Sequence, residues 1–214
     1  MTDGVRNTYL RAAESAVRLL ATEPVARRWR TGSVLPGMSV GGLAGHLARS
    51  VLQVEWFLDG ATGAAAEPVS AVRYYARLVD TERPDSALNV GVRSRSEETA
   101  AAGPAAVAEQ ARAAWERLAR RLGAESADRR VAVLHRPGEE MLLDEYLRTR
   151  CVELAVHLDD LALSVGEPSQ VPEGAVAVAV DLLVAAARTR HGDRAVLHAL
   201  ARRERDAGSA LRVL

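Results

Sequence analysis

Arg150-Cys151-Val152-Glu153-Leu154-Ala155-Val156-His157-Leu158-Asp159-Asp160 sets four charged or titratable side chains into a segment that otherwise reads as core. At about 100° per residue, a helix gathers Arg150, Glu153, His157 and Asp160 into an arc of about 80°, one polar stripe. The rest of the circumference carries Cys151, Val152, Leu154, Ala155, Val156 and Leu158, so the helix is expected to be buried on most sides. A buried polar stripe needs partners. Glu153 and His157, one turn apart, project the same way with Cβ atoms about 5–6 Å apart and can supply two ligands to one metal ion. Ion pairing of Arg150 with Glu153 or Asp160 would satisfy the same charges without a metal. A third ligand elsewhere in the chain separates the two readings.

Composition narrows the setting. The chain has 214 residues, 48% hydrophobic and 26% charged, enough for a packed core in one domain or a domain with a small appendage. Its formal net charge is zero, which removes the usual electrostatic argument for a nucleic-acid or anionic-membrane partner. Every basic residue is Arg, with heavy use of Ala, Val, Leu and Gly, the signature of a GC-rich genome. A single cysteine excludes an intramolecular disulfide framework and a zinc ribbon, so a reducing cytoplasm is expected. Met1 to Glu23 is charge-dotted and amphipathic, without the apolar core of a signal peptide. The longest apolar run, Ala175 to Ala187, contains Asp181 and falls short of the roughly 20 residues that cross a bilayer.

Periodicity predicts a mainly α chain. Leu10, Ala13, Val17 and Leu20 mark an amphipathic helix over 7–20, with a short helical piece over 24–30. Ser39 is expected to cap a helix running to Leu58 and closed by Asp59-Gly60. Its face holds Leu43, His46, Ser50, Gln53 and Phe57, with Arg49 at the edge. A small-residue linker over 60–68 leads to a helical pattern over 69–79 that breaks at Arg83-Pro84. Residues 87–122 read as helix interrupted at Gly103-Pro104, with Val107, Ala111, Ala114, Trp115, Leu118 and Leu122 on the buried side. Residues 131–134 and 141–143 have strand character around an Arg136-Pro137-Gly138 turn. Asp144 is expected to cap the helix that carries the polar stripe, which stops at Gly166-Glu167-Pro168. Two more helices are expected over 175–190 and 194–203, hinged at His191-Gly192-Asp193, and Ala210 to Leu214 could form an edge strand. The simplest organisation is a four-helix bundle over 1–166 with a small helical or α+β segment over 167–214.

If the helices over 39–58 and 144–165 are bundle neighbours, His46 can close on Glu153 and His157. Two histidines and one carboxylate from two helices leave at least one position open, the arrangement of a catalytic divalent site. Zinc is the first choice by ligand type, with iron, nickel and manganese close behind.

Here the sequence resembles a known family. Gly41 to His46 reads Gly-x-Leu-x-x-His after Pro36-Gly37-Met38-Ser39, and Tyr146 to Asp160 reads Tyr-Leu-x-x-Arg-x-x-Glu-x-x-x-His-x-x-Asp. Both are similar to segments of the mycothiol-dependent maleylpyruvate isomerases, in the DinB/YfiT-like metalloenzyme superfamily. His191-Gly192-Asp193 and Leu197-His198-Ala199-Leu200 are similar to C-terminal segments of that group. The resemblance implies a DinB-like four-helix bundle with a divalent metal, usually zinc, on His46, Glu153 and His157. It also implies a low-molecular-weight thiol co-substrate, mycothiol, which fits an actinobacterial, GC-rich source. The family's substrate-binding C-terminal arginine has no single counterpart here.

The resemblance implies thiol chemistry at such a site. Coordination to a cation removes the proton from a thiol whose free pKa is about 8.5. As an isomerase the thiolate would add to a cis double bond, allow rotation and leave; as a transferase it would open an epoxide or displace a leaving group and stay. The substrate is then a small-molecule electrophile, and the protein a monomer or homodimer. Other classes remain: a non-catalytic metal-binding sensor or interaction bundle, favoured if Asp160 fills the open position, or a metal-dependent hydrolase using bound water. Arg150, and with it Arg49, could bind the co-substrate or hold a structural ion pair; Asp160 could orient a ligating histidine or pair with Arg150. Cys151 reads as a small core residue, His135 as a turn residue, and His191 and His198 as surface or tail packing. The run Arg202-Arg203-Glu204-Arg205-Asp206 reads as a solvated helix end.

Overall fold

The computed structural model of the chain describes residues 4–63, 67–78, 85–201 and 208–213. The expected break at Arg83-Pro84, the charged run 202–206, residues 64–66 of the small-residue linker and the ends 1–3 and 214 lie outside the described residues. The fold is mainly α. Its helices are α1 (Val5–Leu20), α2 (Glu23–Arg27), α3 (Val40–Leu58), α4 (Ala71–Ala76), α5 (Ala87–Ala100), α6 (Pro104–Arg121), α7 (Leu143–Val165), α8 (Glu173–His191), α9 (Asp193–Ala201) and α10 (Gly208–Leu211). Between α6 and α7, β1 (Arg130–Ala132) and β2 (Glu140–Leu142) form an antiparallel hairpin with Val131 opposite Met141. Among the described residues, no helix is long and apolar enough to cross a membrane.

Helices α1, α3, α6 and α7 make a four-helix bundle, in which α1 and α3 each pack against both α6 and α7. The buried positions follow the helical repeat: Tyr9, Ala12, Ala13, Ala16 and Leu20 on α1, and Val107, Ala111, Ala114 and Leu118 on α6. Trp115 is half-buried and donates its indole N–H to the Leu10 carbonyl at 3.1 Å. Leu143, Leu147, Leu154, Leu158 and Leu161 of α7 are at most 1% exposed, each contributing about 1.5–3 kcal/mol of burial. α5 lies along the outside of α3, and α8 packs on α7 and α4. Buried residues of α8 and α9, among them Ala175, Leu182, Ala186 and Val196, join the same hydrophobic cluster as the bundle.

Most element boundaries agree with the sequence reading. Ser39 caps α3 by accepting from the Gly42 N–H at 2.8 Å. Gly103, at φ 85°, and Pro104 divide α5 from α6, and Gly166 ends α7 in the left-handed region. Two expectations are corrected. Asp144 does not cap α7: the cap is Leu142, in extended backbone, and Asp144 lies in the first turn with its carboxylate 2.7 Å from Arg6 Nε. The hairpin feeds directly into the helix, since the Leu143 N–H still reaches the Arg129 carbonyl at 2.7 Å, so the helix starts earlier than a side-chain cap at Asp144 would allow. The tail is not an edge strand. Residues 208–211 form one helical turn, and Val213 beyond it is 3% exposed. The hairpin is the only named sheet among the described residues, and the tail instead packs on α8 and α9.

Candidate metal centre

α3 and α7, neighbours in the bundle, bring His46, Glu153 and His157 together, with one ligand atom from each within 4.8 Å of the others. His46 Nε2 is 3.3 Å and His157 Nε2 3.6 Å from the same oxygen, Glu153 Oε2. The two imidazoles meet edge to face with centroids 4.5 Å apart. Each side chain keeps 17–18% of its exposure, so the cluster is sheltered yet open to a small ligand.

The far side of each ring is engaged. Asp160 Oδ2 lies 3.0 Å from His157 Nδ1. An ionised carboxylate only accepts, so Nδ1 carries the proton and, in the neutral ring, Nε2 presents a lone pair. Ser96 Oγ lies 3.3 Å from His46 Nδ1. That hydroxyl already donates to the Val92 carbonyl at 2.7 Å, which leaves it to accept from Nδ1–H and again directs a lone pair out of Nε2. Glu153 Oε1 is held by the Tyr75 hydroxyl at 3.0 Å.

Electrostatics agrees with this arrangement. Burial, then the neighbouring His157, lowers the His46 pKa against the opposing pull of Glu153, so its imidazole is neutral at pH 7. For Glu153 burial is the largest influence and opposes ionisation. The His46 hydrogen bond and the Arg150 and His157 charges outweigh it and hold the carboxyl well below the usual range. Without a metal the His46 imidazole can share a proton with the Glu153 carboxylate; with both rings protonated at Nδ1, the two Nε2 lone pairs and that carboxylate form a donor set that fits a divalent cation.

Arg150 is 7% exposed, and its partners are neutral. Nε donates to Thr149 Oγ1 at 3.2 Å, Nη1 to Gln53 Oε1 at 3.3 Å, and the guanidinium sits 5.1 Å from the Tyr146 ring centroid. Neither Glu153 nor Asp160 is within ion-pair distance of it, so the structural ion pair considered from sequence is not formed; Asp160 is engaged by His157 instead. Burial opposes the charge, but Tyr146 and Glu153 outweigh that and raise the Arg150 pKa, keeping the guanidinium protonated. The Tyr146 hydroxyl is buried without a hydrogen-bond partner. Arg49 is half-buried on α3, one turn beyond His46, where it reaches Thr99 Oγ1 at 3.4 Å and lies 5.4 Å from the Trp56 ring centroid.

The wall beyond Arg150 is aromatic. Phe57 stacks on Tyr146 with centroids 4.9 Å apart, and Tyr74 packs edge-on against Tyr75. His135, in the hairpin loop, meets the Tyr74 hydroxyl at 3.0 Å. His191 Nε2 lies 3.3 Å from the Arg212 carbonyl, the tail packing expected of it. An apolar groove of about 510 Å³ between α1, α2 and α6 contains none of the cluster residues; donor chemistry, not cavity size, marks the site.

Three residues that matter here carried no sequence signal as site residues: Ser96, Tyr75 and Gly45. Gly45 precedes His46 at the crossing of α3 and α5, where a Cβ would lie 2.3 Å from the Ser96 carbonyl oxygen. Only glycine allows the approach that brings Ser96 to His46. Gly45→Ala is expected to push α5 outward and cost about 1–3 kcal/mol, read as a lower Tm. The displaced Ser96 also loosens the His46 ring, so metal affinity should fall by about 10-fold or more. Unchanged Tm and affinity would show that the crossing tolerates a methyl group.

No curated protein and no solved structure matches the chain. The family model described as the mycothiol maleylpyruvate isomerase N-terminal domain matches residues 10–162, which include α3, all but the last turn of α7 and the whole His46–Glu153–His157 cluster. On the strength of that match across most of the bundle, the chain belongs to the mycothiol maleylpyruvate isomerase N-terminal domain family.

Proposed function

We propose that the protein is a metal-dependent thiol transferase or isomerase in which mycothiol attacks a small electrophile at the His46–Glu153–His157 centre. The observation that carries the reading is the convergence of His46 Nε2, His157 Nε2 and Glu153 Oε2 on one point. A divalent ion there, zinc by preference, would acidify a thiol and hold its sulfur beside the electrophile.

The chain's own residues do the rest. Asp160 and Ser96 fix the two imidazole tautomers, and Tyr75 fixes the carboxylate. Arg150, buried among neutral partners, supplies a positive potential that favours the thiolate over the thiol. The unpartnered Tyr146 hydroxyl offers a hydrogen bond to a ligand. Arg49, one turn beyond His46, contributes further positive charge on the same helix. In the isomerase reaction the thiolate adds to a double bond, the former double bond rotates, and the same C–S bond breaks. In the transferase reaction a C–S bond forms as a C–O or other leaving-group bond breaks, and the departing oxygen takes up a proton. The sensor reading loses support, because Asp160 is engaged at His157 Nδ1, on the opposite side of the ring from Nε2, and is not disposed as a fourth ligand.

No protein nucleophile is required. Cys151 is 0% exposed, and burial pushes its thiol up to about 12, which leaves it inert at neutral pH. Calorimetry of mycothiol against cysteine, on metal-quantified protein, tests the proposal. Metal-dependent binding selective for mycothiol is expected in the wild type and in Cys151→Ala, with none in His46→Ala. Binding of neither thiol to metal-loaded protein would overturn it, and turnover without added thiol would move the site to hydrolysis.

A further inference from the structure

The helix whose tyrosine bonds the Glu153 carboxylate is too short to hold itself. α4 is 6 residues long, and an isolated helix below about 12–15 residues is marginal in water. Yet its Tyr75, 0% exposed, places a hydroxyl 3.0 Å from Glu153 Oε1 and 3.2 Å from the Thr149 carbonyl. Something else must fix where Tyr75 stands.

Charged side chains grip α4 at both ends. At the start, Ser70 accepts from the Arg73 N–H at 3.3 Å, and Glu145 of α7 accepts from the Ala71 N–H at 2.7 Å. At the end, a single guanidinium from α8, that of Arg190, meets three carbonyls. Nη2 donates to Tyr75 O at 2.7 Å and to Leu78 O, and Nε to Ala76 O at 3.4 Å. Tyr75 and Ala76 lie in the last turn of α4, where helix carbonyls run out of intrahelical donors, and Leu78 lies just beyond it; a cation there complements the helix dipole. Nη1 of the same residue reaches the Val213 carbonyl at 3.3 Å, so Arg190 also ties down the tail.

We infer that Arg190 is a positioning residue for the metal centre: it fixes α4, α4 fixes Tyr75, and Tyr75 fixes the Glu153 carboxylate. The segment after α7 is thereby part of the site's scaffold although it contributes no ligand. The inference rests on the metal reading of the His46–Glu153–His157 cluster. Its signature is coupling: removing Arg190 should act on metal binding only through Tyr75.

The test uses Co²⁺ as probe on the full chain, with affinity from chelator competition and site geometry from the visible d–d spectrum. Arg190→Ala and Tyr75→Phe are each expected to weaken Co²⁺ binding by about 10-fold, within the range for loss of an outer-shell partner, and to shift the d–d bands alike. The double variant is expected to bind no more weakly than Tyr75→Phe alone. Arg188→Ala, also on α8 but exposed and paired with Asp193, should bind as the wild type does. Should Arg190→Ala not fold, Arg190→Lys, which keeps the charge but not the planar fork, runs the same cycle with the same two outcomes. Wild-type affinity in the folded Arg190 variant, or a loss that adds in full to that of Tyr75→Phe, would overturn the inference and leave the metal reading standing. Failure of the wild-type chain to bind Co²⁺ would overturn both.

Discussion

Glu153→Gln is expected to abolish tight divalent-metal binding and to lower the Tm of the metal-free protein, whereas His157→Ala is expected to abolish the binding with little change in metal-free Tm. Each variant deletes one of three converging donors, so each should lose more than the roughly 10–100-fold that loss of an outer-shell partner costs. The difference between them is charge. Arg150 is buried among Thr149, Gln53 and Tyr146, none of which carries a negative charge at neutral pH, and Glu153 is a carboxylate whose field it feels. A neutral amide at position 153 leaves that guanidinium uncompensated, at a cost of about 1–3 kcal/mol. His157 balances no buried charge in its neutral form, and Asp160, 23% exposed, can turn to water when the ring is gone. Metal content after dialysis and calorimetric Tm of chelator-treated protein check both halves. Retention of wild-type metal affinity in Glu153→Gln would remove the basis of the site; equal Tm values for the two metal-free variants would mean that Arg150 does not depend on Glu153.

The reach of the sequence follows from how far apart interacting residues lie. The α7 stripe is legible because four polar side chains stand out against an apolar helix, and i, i+4 geometry alone places Glu153 beside His157. Asp160 is readable for the same reason, three residues from its partner. His46 needs a tertiary step, but its place on a face with Gln53 and Phe57 gives the direction, and both of those residues line the site. Ser96 lies 50 residues from His46 and Tyr75 78 residues from Glu153, and no local pattern distinguishes such a Ser or Tyr from ordinary packing. Gly45 looks like a weak helix former until α5 is seen to cross it. At Asp144 a sound capping preference lost to a hairpin that hands its last hydrogen bond to the helix. For Arg150 the stripe suggested an ion pair, because charges on one helix face are assumed to meet. Here the guanidinium turns across the bundle to Gln53 of α3 instead.

That orientation of Arg150 gives the second large expectation: Arg150→Met should bind a divalent metal more tightly than the wild type and mycothiol less tightly. A guanidinium close enough to depress the Glu153 pKa competes with any other cation for that carboxylate, and in a partly dry pocket a like charge weakens cation binding by on the order of 10-fold. Removing it relieves this repulsion, and Met fills much of the same volume along an unbranched chain. In the metal-free protein the effect reverses, because Glu153 then loses its nearest permanent positive charge, so metal should raise the Tm of the variant by more than it raises that of the wild type. The thiolate suffers the opposite fate. It loses a buried positive partner, and a hydrogen bond to a charged group is worth about 1.5–3 kcal/mol, so mycothiol affinity at saturating metal should fall by about 10–100-fold. Chelator competition reads the first affinity and calorimetry on metal-saturated protein the second. Movement of the two in opposite directions is something that general loosening of the fold cannot produce, since loosening weakens both. A parallel fall in both affinities would make Arg150 a scaffold residue and withdraw it from thiol recognition.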